Sequence, residues 1–429
     1  MTTNKKRTTT IAILTIYLVL FIFILIFYPL ADTLEGYKRI LLSPSILITD
    51  YIAVGGLSAT VLNVITTTAL NILIIKLLKV ELNGSVFACL LTIAGFAFFG
   101  KNLYNALPIY LGVYLYTLAS KTSLKDQVIV LLLSSGMSPV TSYIMLGAGF
   151  PLEIGIPLSI LVGVLIGFLL PTFNVFSLKF HQGYNLYNTG FSMGVLSMIV
   201  TGVMASFGLI VTRNNLVDNN YHITLLISTA ILSLVFIVLA FAEDKTVLRR
   251  YFKIFKKSGK LFTDFYNEFG PDVAMLNVGI MGLITLIVIQ SVGITINGPV
   301  VGAILTILGF SAFGKHPLNA LPVIIGAILA IEFTPIEWSN GSILAVLFVT
   351  GVAPIAGQFG LVVGIIIGFV HVMITPLALA FQGGFDLYNN GFAAGFVAAV
   401  FAPVLSTFLN KRDESDKWNY ILPLKKKIE

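Results

Sequence analysis

The sequence predicts an all-α polytopic membrane protein of about fourteen transmembrane segments, arranged as two inverted six-span repeats with broken or re-entrant helices. Three observations carry that prediction: a composition rich in apolar and poor in charged residues, apolar runs of helix length along the chain, and motifs that recur in the same order in both halves. Of 429 residues, 57% are hydrophobic and 10% charged, and mean hydropathy is +0.96. Soluble domains carry roughly 25% charged residues. Each span takes about 20 apolar residues, so this length supplies on the order of a dozen.

The formal charge of +7 would suggest nucleic acid as a partner of a soluble protein. In a membrane protein the position of lysine and arginine matters more, because they stay on the cytoplasmic side. Cys89 is the single cysteine and lies in the apolar stretch VFACLLTIAGF, so no intrachain disulfide is available. No CxxC pair, metal-ligand cluster, phosphate loop or nucleophile–base pair occurs. We therefore expect no metal, no cofactor, no nucleotide or nucleic-acid partner, and no enzyme activity.

Taken in order, the apolar runs place candidate spans at 11–30, 51–74, 85–99, 106–119, 126–146, 155–172, 188–211, 222–242, 273–293, 299–313, 320–333, 341–357, 359–377 and 390–408. The first follows Lys5, Lys6 and Arg7. Its apolar stretch exceeds a signal peptide's core and no small-residue cleavage site follows, so it reads as a retained anchor. Threading the spans from a cytoplasmic N-terminus leaves only Lys38, Arg39, Lys101 and Arg213 outside among 26 lysines and arginines. A multi-pass protein of the cell membrane with both termini in the cytoplasm is expected.

The repeats are visible by self-comparison. GFAFFGKNLYNALPI from Gly95 recurs as GFSAFGKHPLNALPV from Gly309, 214 residues on, and Asn83-Gly84 recurs as Asn297-Gly298 at the same spacing. SSGMSPV around Pro139 matches VTGVAPI around Pro354, and ILVGVLIGF matches LVVGIIIGF. HQGYNLYNTGF from His181 matches QGGFDLYNNGF from Gln382, now 201 residues on. The chain therefore divides into a stub, anchor and external loop (1–45), repeat 1 (46–212), a connector span with a basic cytoplasmic segment (213–270), repeat 2 (271–410) and a basic tail (411–429). One connector span between two even-numbered repeats inverts the second. The short paired segments at 85–119 and 299–333 leave that parity unchanged whether they cross or re-enter.

The first motif sets Gly100 and Lys101 before Asn105 and Pro108, mirrored by Gly314, Lys315, Asn319 and Pro322. Glycine permits a sharp reversal and proline interrupts a helix or suits its first turn, so we expect backbone breaks here. A new helix N-terminus beside a lysine is an anion or carbonyl-oxygen site. A lysine that merely reaches the headgroups is the alternative. The second motif sets Tyr187, Asn188 and Gly190 against Tyr388, Asn389 and Gly391, offering amphipathic rings, amides and close backbone approach at a helix start; helix capping is the competing role for the asparagines. Asn185 of repeat 1 is Asp386 in repeat 2. A carboxylate in a membrane-embedded break must be hydrated, paired or ligated to a cation, which makes Asp386 the candidate for a coupling proton or sodium ion. The GxxxG pairs Gly163/Gly167 and Gly364/Gly368 point to close helix packing. KTVLRRYFKIFKKSGKLF from Lys245 reads as an amphipathic helix on anionic headgroups.

At these motifs the chain resembles an uncharacterised, internally duplicated membrane-protein family of bacteria and archaea, a domain of unknown function. QGYNLYNTGFSMG also resembles the Gly-Tyr-Asn segment that opens a pore-lining half-helix in urea transporters, themselves inverted duplications. Gly183, Tyr184 and Asn185 take the motif positions; repeat 2 departs from them with Phe385 and Asp386, and the Asn-Pro-x-Ser-Gly stretch of that family is absent. The resemblance implies a shared architecture and does not extend to urea.

The expected function is secondary transport of a small polar or anionic solute, held where the repeats meet by Lys101, Asn105, Lys315, Asn319, Tyr187, Asn188, Tyr388 and Asn389. A passive small-solute channel is one alternative; a non-transport membrane enzyme or scaffold is another. The expected partners are the solute and the bilayer, with room for a homo-oligomer.

Overall fold

The computed structural model describes residues 22, 24, 26–212, 215–409 and 421. In chain order its α-helices are Leu30–Leu41 (α1), Tyr51–Gly55 (α2), Leu57–Leu77 (α3), Gly84–Phe96 (α4), Leu103–Ser120 (α5), Val128–Ser134 (α6), Ser138–Leu146 (α7), Leu152–Phe180 (α8) and Asn188–Ser206 (α9). A connector follows, His222–Glu243 (α10) and Val247–Tyr251 (α11). Then come Phe265–Glu268 (α12), Pro271–Ser291 (α13), Gly298–Ser311 (α14), Pro317–Glu332 (α15), Asn340–Phe348 (α16), Ala353–Phe359 (α17), Leu361–Gln382 (α18) and Asn389–Phe408 (α19). Among the described residues the only β-type pairings are isolated bridges, Thr49 with Leu216 and Asp50 with Phe99.

Nine helical segments among the described residues are long and apolar enough to cross a bilayer, fewer than the fourteen spans expected. The run at 11–30 lies mostly outside the described residues. α4, α14 and α15 have 13, 14 and 16 residues; 13 residues rise about 20 Å, short of the roughly 30 Å hydrocarbon layer. α5 has 18 residues, but Asn105 and four tyrosines dilute its apolar character. The extra short helix α1 occupies what composition suggested was an external loop. Each of the runs 126–146 and 341–357 is one kinked rod, α6–α7 or α16–α17, bent through a 3₁₀ turn ahead of Pro139 or Pro354.

The helices point their polar residues inward, as a lipid solvent requires. α3 buries Ser58, Thr60, Asn63, Thr67, Thr68 and Asn71 while Leu73 and Leu77 are exposed. α10 shows Ile223, Ile227, Ile231, Leu234 and Val238 to the outside and lays Ser233 against Gly279 and Gly282 of α13. The GxxxG pairs do pack closely: a Cβ on Gly163 would meet Pro108, and one on Gly364 would meet Pro322, each at 2.7 Å. Pro108 and Pro322 thus lie inside the continuous helices α5 and α15, filling the hollow that glycine leaves. They are not where the chain reverses. The basic segment also differs from the amphipathic helix expected: only Val247–Tyr251 is α-helical, followed by a 3₁₀ turn at Phe252–Lys256. The next residues then dock on the body, with the Lys257 carbonyl 2.8 Å from His316 Nε2 and the Ser258 carbonyl accepting from Asn319 Nδ2 at 3.1 Å.

Candidate functional site

The chain reverses at Gly100–Asn102 and Gly314–His316, between α4 and α5 and between α14 and α15. Gly100 takes φ +79°, a left-handed conformation that suits glycine. One asparagine from a neighbouring long helix holds each reversal. Asn63 Nδ2 donates to the Ala97 and Lys101 carbonyls, both at 2.8 Å. Its counterpart 214 residues on, Asn277, donates to the Ser311 and Lys315 carbonyls at 2.7 and 2.6 Å. Each new helix is then closed by a capping box, Asn102 with Asn105 and His316 with Asn319. The remaining amide group of Asn105 donates to the Gly100 carbonyl at 3.0 Å, and that of Asn319 to the Gly314 carbonyl at 2.9 Å. Both asparagines are therefore committed to backbone.

The lysines at the reversals are buried, Lys101 at 1% and Lys315 at 0% exposure. Neither pairs with a carboxylate among the described residues. Lys315 Nζ donates to Tyr187 OH and, at 2.8 Å, to Thr350 Oγ1, and lies 4.3 Å from the Tyr187 ring centre. Lys101 Nζ donates to Ser135 Oγ at 2.6 Å and Tyr110 OH at 3.2 Å. Ser135 and Thr350 are the equivalent residues of the two repeats. Tyr110 breaks the equivalence, because its counterpart is Ile324.

The second motif brings the repeats together. The rings of Tyr187 and Tyr388 stand 5.2 Å apart, and Tyr388 OH donates to Thr92 Oγ1 at 3.1 Å. Gly190 and Gly391 sit in the first turns of α9 and α19 rather than at breaks, and they permit the crossing: a Cβ on Gly190 would lie 2.8 Å from that of Tyr388. Asn188 is occupied, bonded to His181 Nε2 at 2.7 Å and to Asn174 Oδ1 at 2.8 Å. Asn389 Oδ1 has no hydrogen-bond partner. Lys315, Tyr187 and Tyr388 thus meet at one buried polar centre, whereas Lys101 stays at its own reversal with Ser135 and Tyr110, Asn105 and Asn319 support backbone, and Asn188 is held by His181 and Asn174.

Three pairs of reciprocal bonds cross the seam. Leu186 N donates to the Gly351 carbonyl at 2.9 Å and Leu387 N to the Gly136 carbonyl at 3.0 Å. Leu47 N donates to the Gly384 carbonyl and Leu261 N to the Gly183 carbonyl, both at 3.0 Å. Asp50 Oδ2 accepts from Gly298 N at 3.1 Å, and Asp264 accepts from Gly84 N at 3.2 Å. Asp50 thus caps a short helix of repeat 2, and Asp264, from the segment that leads into repeat 2, caps a short helix of repeat 1, each beside that helix's own asparagine cap. Burial pushes the Asp50 carboxyl up to about 6, against amide bonds from Ile52, Asp218 and Gly298; it also raises Asp264. Asp50, Asp264, Asn63 and Asn277 were not among the expected residues, although the 214-residue spacing marks both pairs.

A groove of about 510 Å³ lies on the outer surface, lined by Phe173, Phe176, Phe180, Phe191 and Phe396 beside Lys179. Its walls are apolar, and it does not include the central lysines.

The long apolar helices, polar inward and apolar outward, make this a multi-pass α-helical membrane protein. The chain belongs to the family described as protein of unknown function (DUF1576), matched over residues 30–206 and 243–407. No curated protein and no solved structure matches it.

Proposed function

We propose that this protein is a secondary transporter of a small polar or anionic solute, working by alternating access between two inverted repeats, and that it is not an enzyme. The observation that carries the reading is the buried centre where Lys315 of one repeat bonds Tyr187 of the other. A lysine held in a membrane protein's interior by two hydroxyls and a ring face is costly to charge, and a carboxylate, phosphate or polarised carbonyl is the partner that would offset the cost. With α10 as a single crossing between them, the repeats run through the bilayer in opposite senses. Reciprocal contacts across the seam are what a pair related by a two-fold axis makes, and such a pair has two mirror-related states of similar energy, as alternating access requires. The centre is closed to both sides in the described conformation, which fits an occluded step.

The test is a thermal-shift screen of purified protein against phosphate, sulfate, acetate, lactate, acetamide and urea, repeated on Lys315→Met. A solute bound only by the folded state at a hundred times its Kd adds about 2.7 kcal/mol of stability. A shift in wild type that disappears in the variant supports the site. Uptake of that solute into proteoliposomes against its gradient then separates transport from a passive channel, which only equilibrates. If no solute shifts wild type, the central-site reading fails.

A further inference from the structure

Asn185 and Asp386 occupy equivalent positions on the two sides of the seam, and their first carboxamide or carboxylate oxygens do the same thing. Asn185 Oδ1 accepts from Tyr187 N at 2.9 Å, and Asp386 Oδ1 accepts from Tyr388 N at 2.8 Å. The second atoms differ. Asn185 Nδ2 donates across the seam to the Gly391 carbonyl at 3.0 Å. Asp386 Oδ2 is buried and has no hydrogen-bond partner, and Asp386 as a whole is 0% exposed. The carbonyl reciprocal to Gly391 is that of Gly190, on a helix start that meets Tyr388 and Gly391. By equivalence with Asn185, a neutral Asp386 would have a hydroxyl in the place of the asparagine N–H, and an ionised one a bare oxygen.

We propose that Asp386 is a proton-binding site, at which the bound proton supplies the hydrogen bond to the Gly190 carbonyl that Asn185 makes permanently on the other side. Proton loss removes that latch and leaves an unpaired charge in the interior, which weakens the seam at one repeat only. Among the described residues Asp386 makes no ion pair. The titratable groups on the surrounding elements include Tyr143, Tyr187, Tyr388 and Cys89, His371 on α18 near Asn390, Lys315 bonded to Tyr187 and Thr350, Lys101 bonded to Ser135 and Tyr110, and Asp50 bonded to amides. As the coupling ion of transport the proton rests on the function proposed above; as a binding site it does not.

The experiment compares wild type, Asp386→Asn and Asn185→Asp in purified, folded form, without any solute. Infrared difference spectra should contain a protonated carboxylic-acid stretch in wild type that Asp386→Asn removes. Stability conferred by the neutral carboxyl is complete at low pH and declines as pH rises through its ionisation in the folded chain. As pH rises from about 4, the ordinary carboxylate range, wild type should therefore lose more thermal stability than Asp386→Asn, which copies the opposite repeat, and Asn185→Asp should lose more still. Identical profiles for wild type and Asp386→Asn, or an infrared band unchanged by the substitution, would overturn the assignment. So would stabilisation by sodium chloride over choline chloride that Asp386→Asn abolishes, which would place a metal ion there. None of these readouts uses the transported solute, so failure here leaves the transporter reading untouched, and failure of the solute screen leaves the proton site standing.

Discussion

Single side chains do the work of holding unpaired backbone in a medium without water. Asn63 and Asn277 each give both amide hydrogens to carbonyls at a reversal. A buried carbonyl left without a donor costs about 1–3 kcal/mol, so Asn63→Ala and Asn277→Ala should each destabilise the protein by about twice that, Asn277→Ala somewhat more because it also takes the acceptor of Tyr251 OH. Thermal unfolding in detergent checks this; a large loss in one variant alone would show that the two reversals are not held alike. The same logic explains why Asn105 and Asn319, attractive as ligands from their spacing, are spent on capping boxes. Sequence spacing places an asparagine near a helix start, and the free amide hydrogens there decide its use.

At the scale of the helix, packing depends on bare backbone. Gly167 of α8 and Gly368 of α18 face the backbones of α5 and α15, and a Cβ on Gly368 would sit 2.8 Å from the Val323 carbonyl carbon. Backbone cannot move aside as a side chain can. Gly167→Val and Gly368→Val should each destabilise by about 3 kcal/mol, the upper end of overpacking costs, whereas Gly341→Ala, with only Ser339 Oγ at 3.7 Å, should be neutral. Yield of monodisperse protein and its melting temperature read both. The helix pairing was visible in the repeated GxxxG spacing, but the role of the prolines was not: Pro108 and Pro322 looked like breaks and proved to be the surfaces on which Gly163 and Gly364 close.

Across the whole molecule the repeats clasp each other through reciprocal contacts and then depart from symmetry at the centre. Lys315 reaches over to Tyr187, while Lys101 stays with Tyr110 and Ser135 and leaves Tyr388 to Thr92. The cause is one substitution between the halves, Tyr110 against Ile324, which gives only Lys101 a tyrosine hydroxyl of its own repeat. The clasp is also pH-sensitive at its edge. Asp50 has its carboxyl raised to about 6, so the stability tied to its neutral form is complete below about pH 4 and lost as pH rises through about 6. In an Asp386→Asn background, the decline over that range should persist and should shrink on adding Asp50→Ala, to the part that Asp264 contributes, with the melting temperature lowered at every pH by the three amides left without an acceptor.

The sequence alone determined the solvent, the duplication and the rough bounds of the long helices, because composition and the spacing of apolar residues act within a few turns of one chain segment. It marked Lys101, Lys315, Tyr187, Tyr388 and Asp386 as chemically out of place in an apolar protein. Which of them meet was decided by the tertiary structure. Lys315 and Tyr187, Asp50 and Gly298, and Asn185 and Gly391 come from opposite repeats, and no periodicity says which face of a buried helix receives which neighbour. The apolar pattern that reports an amphipathic face in water carries little of that information where lipid covers the outside and the inner faces are themselves apolar. Only packing, which brings two helix starts together at Gly190 and Gly391, fixes the centre.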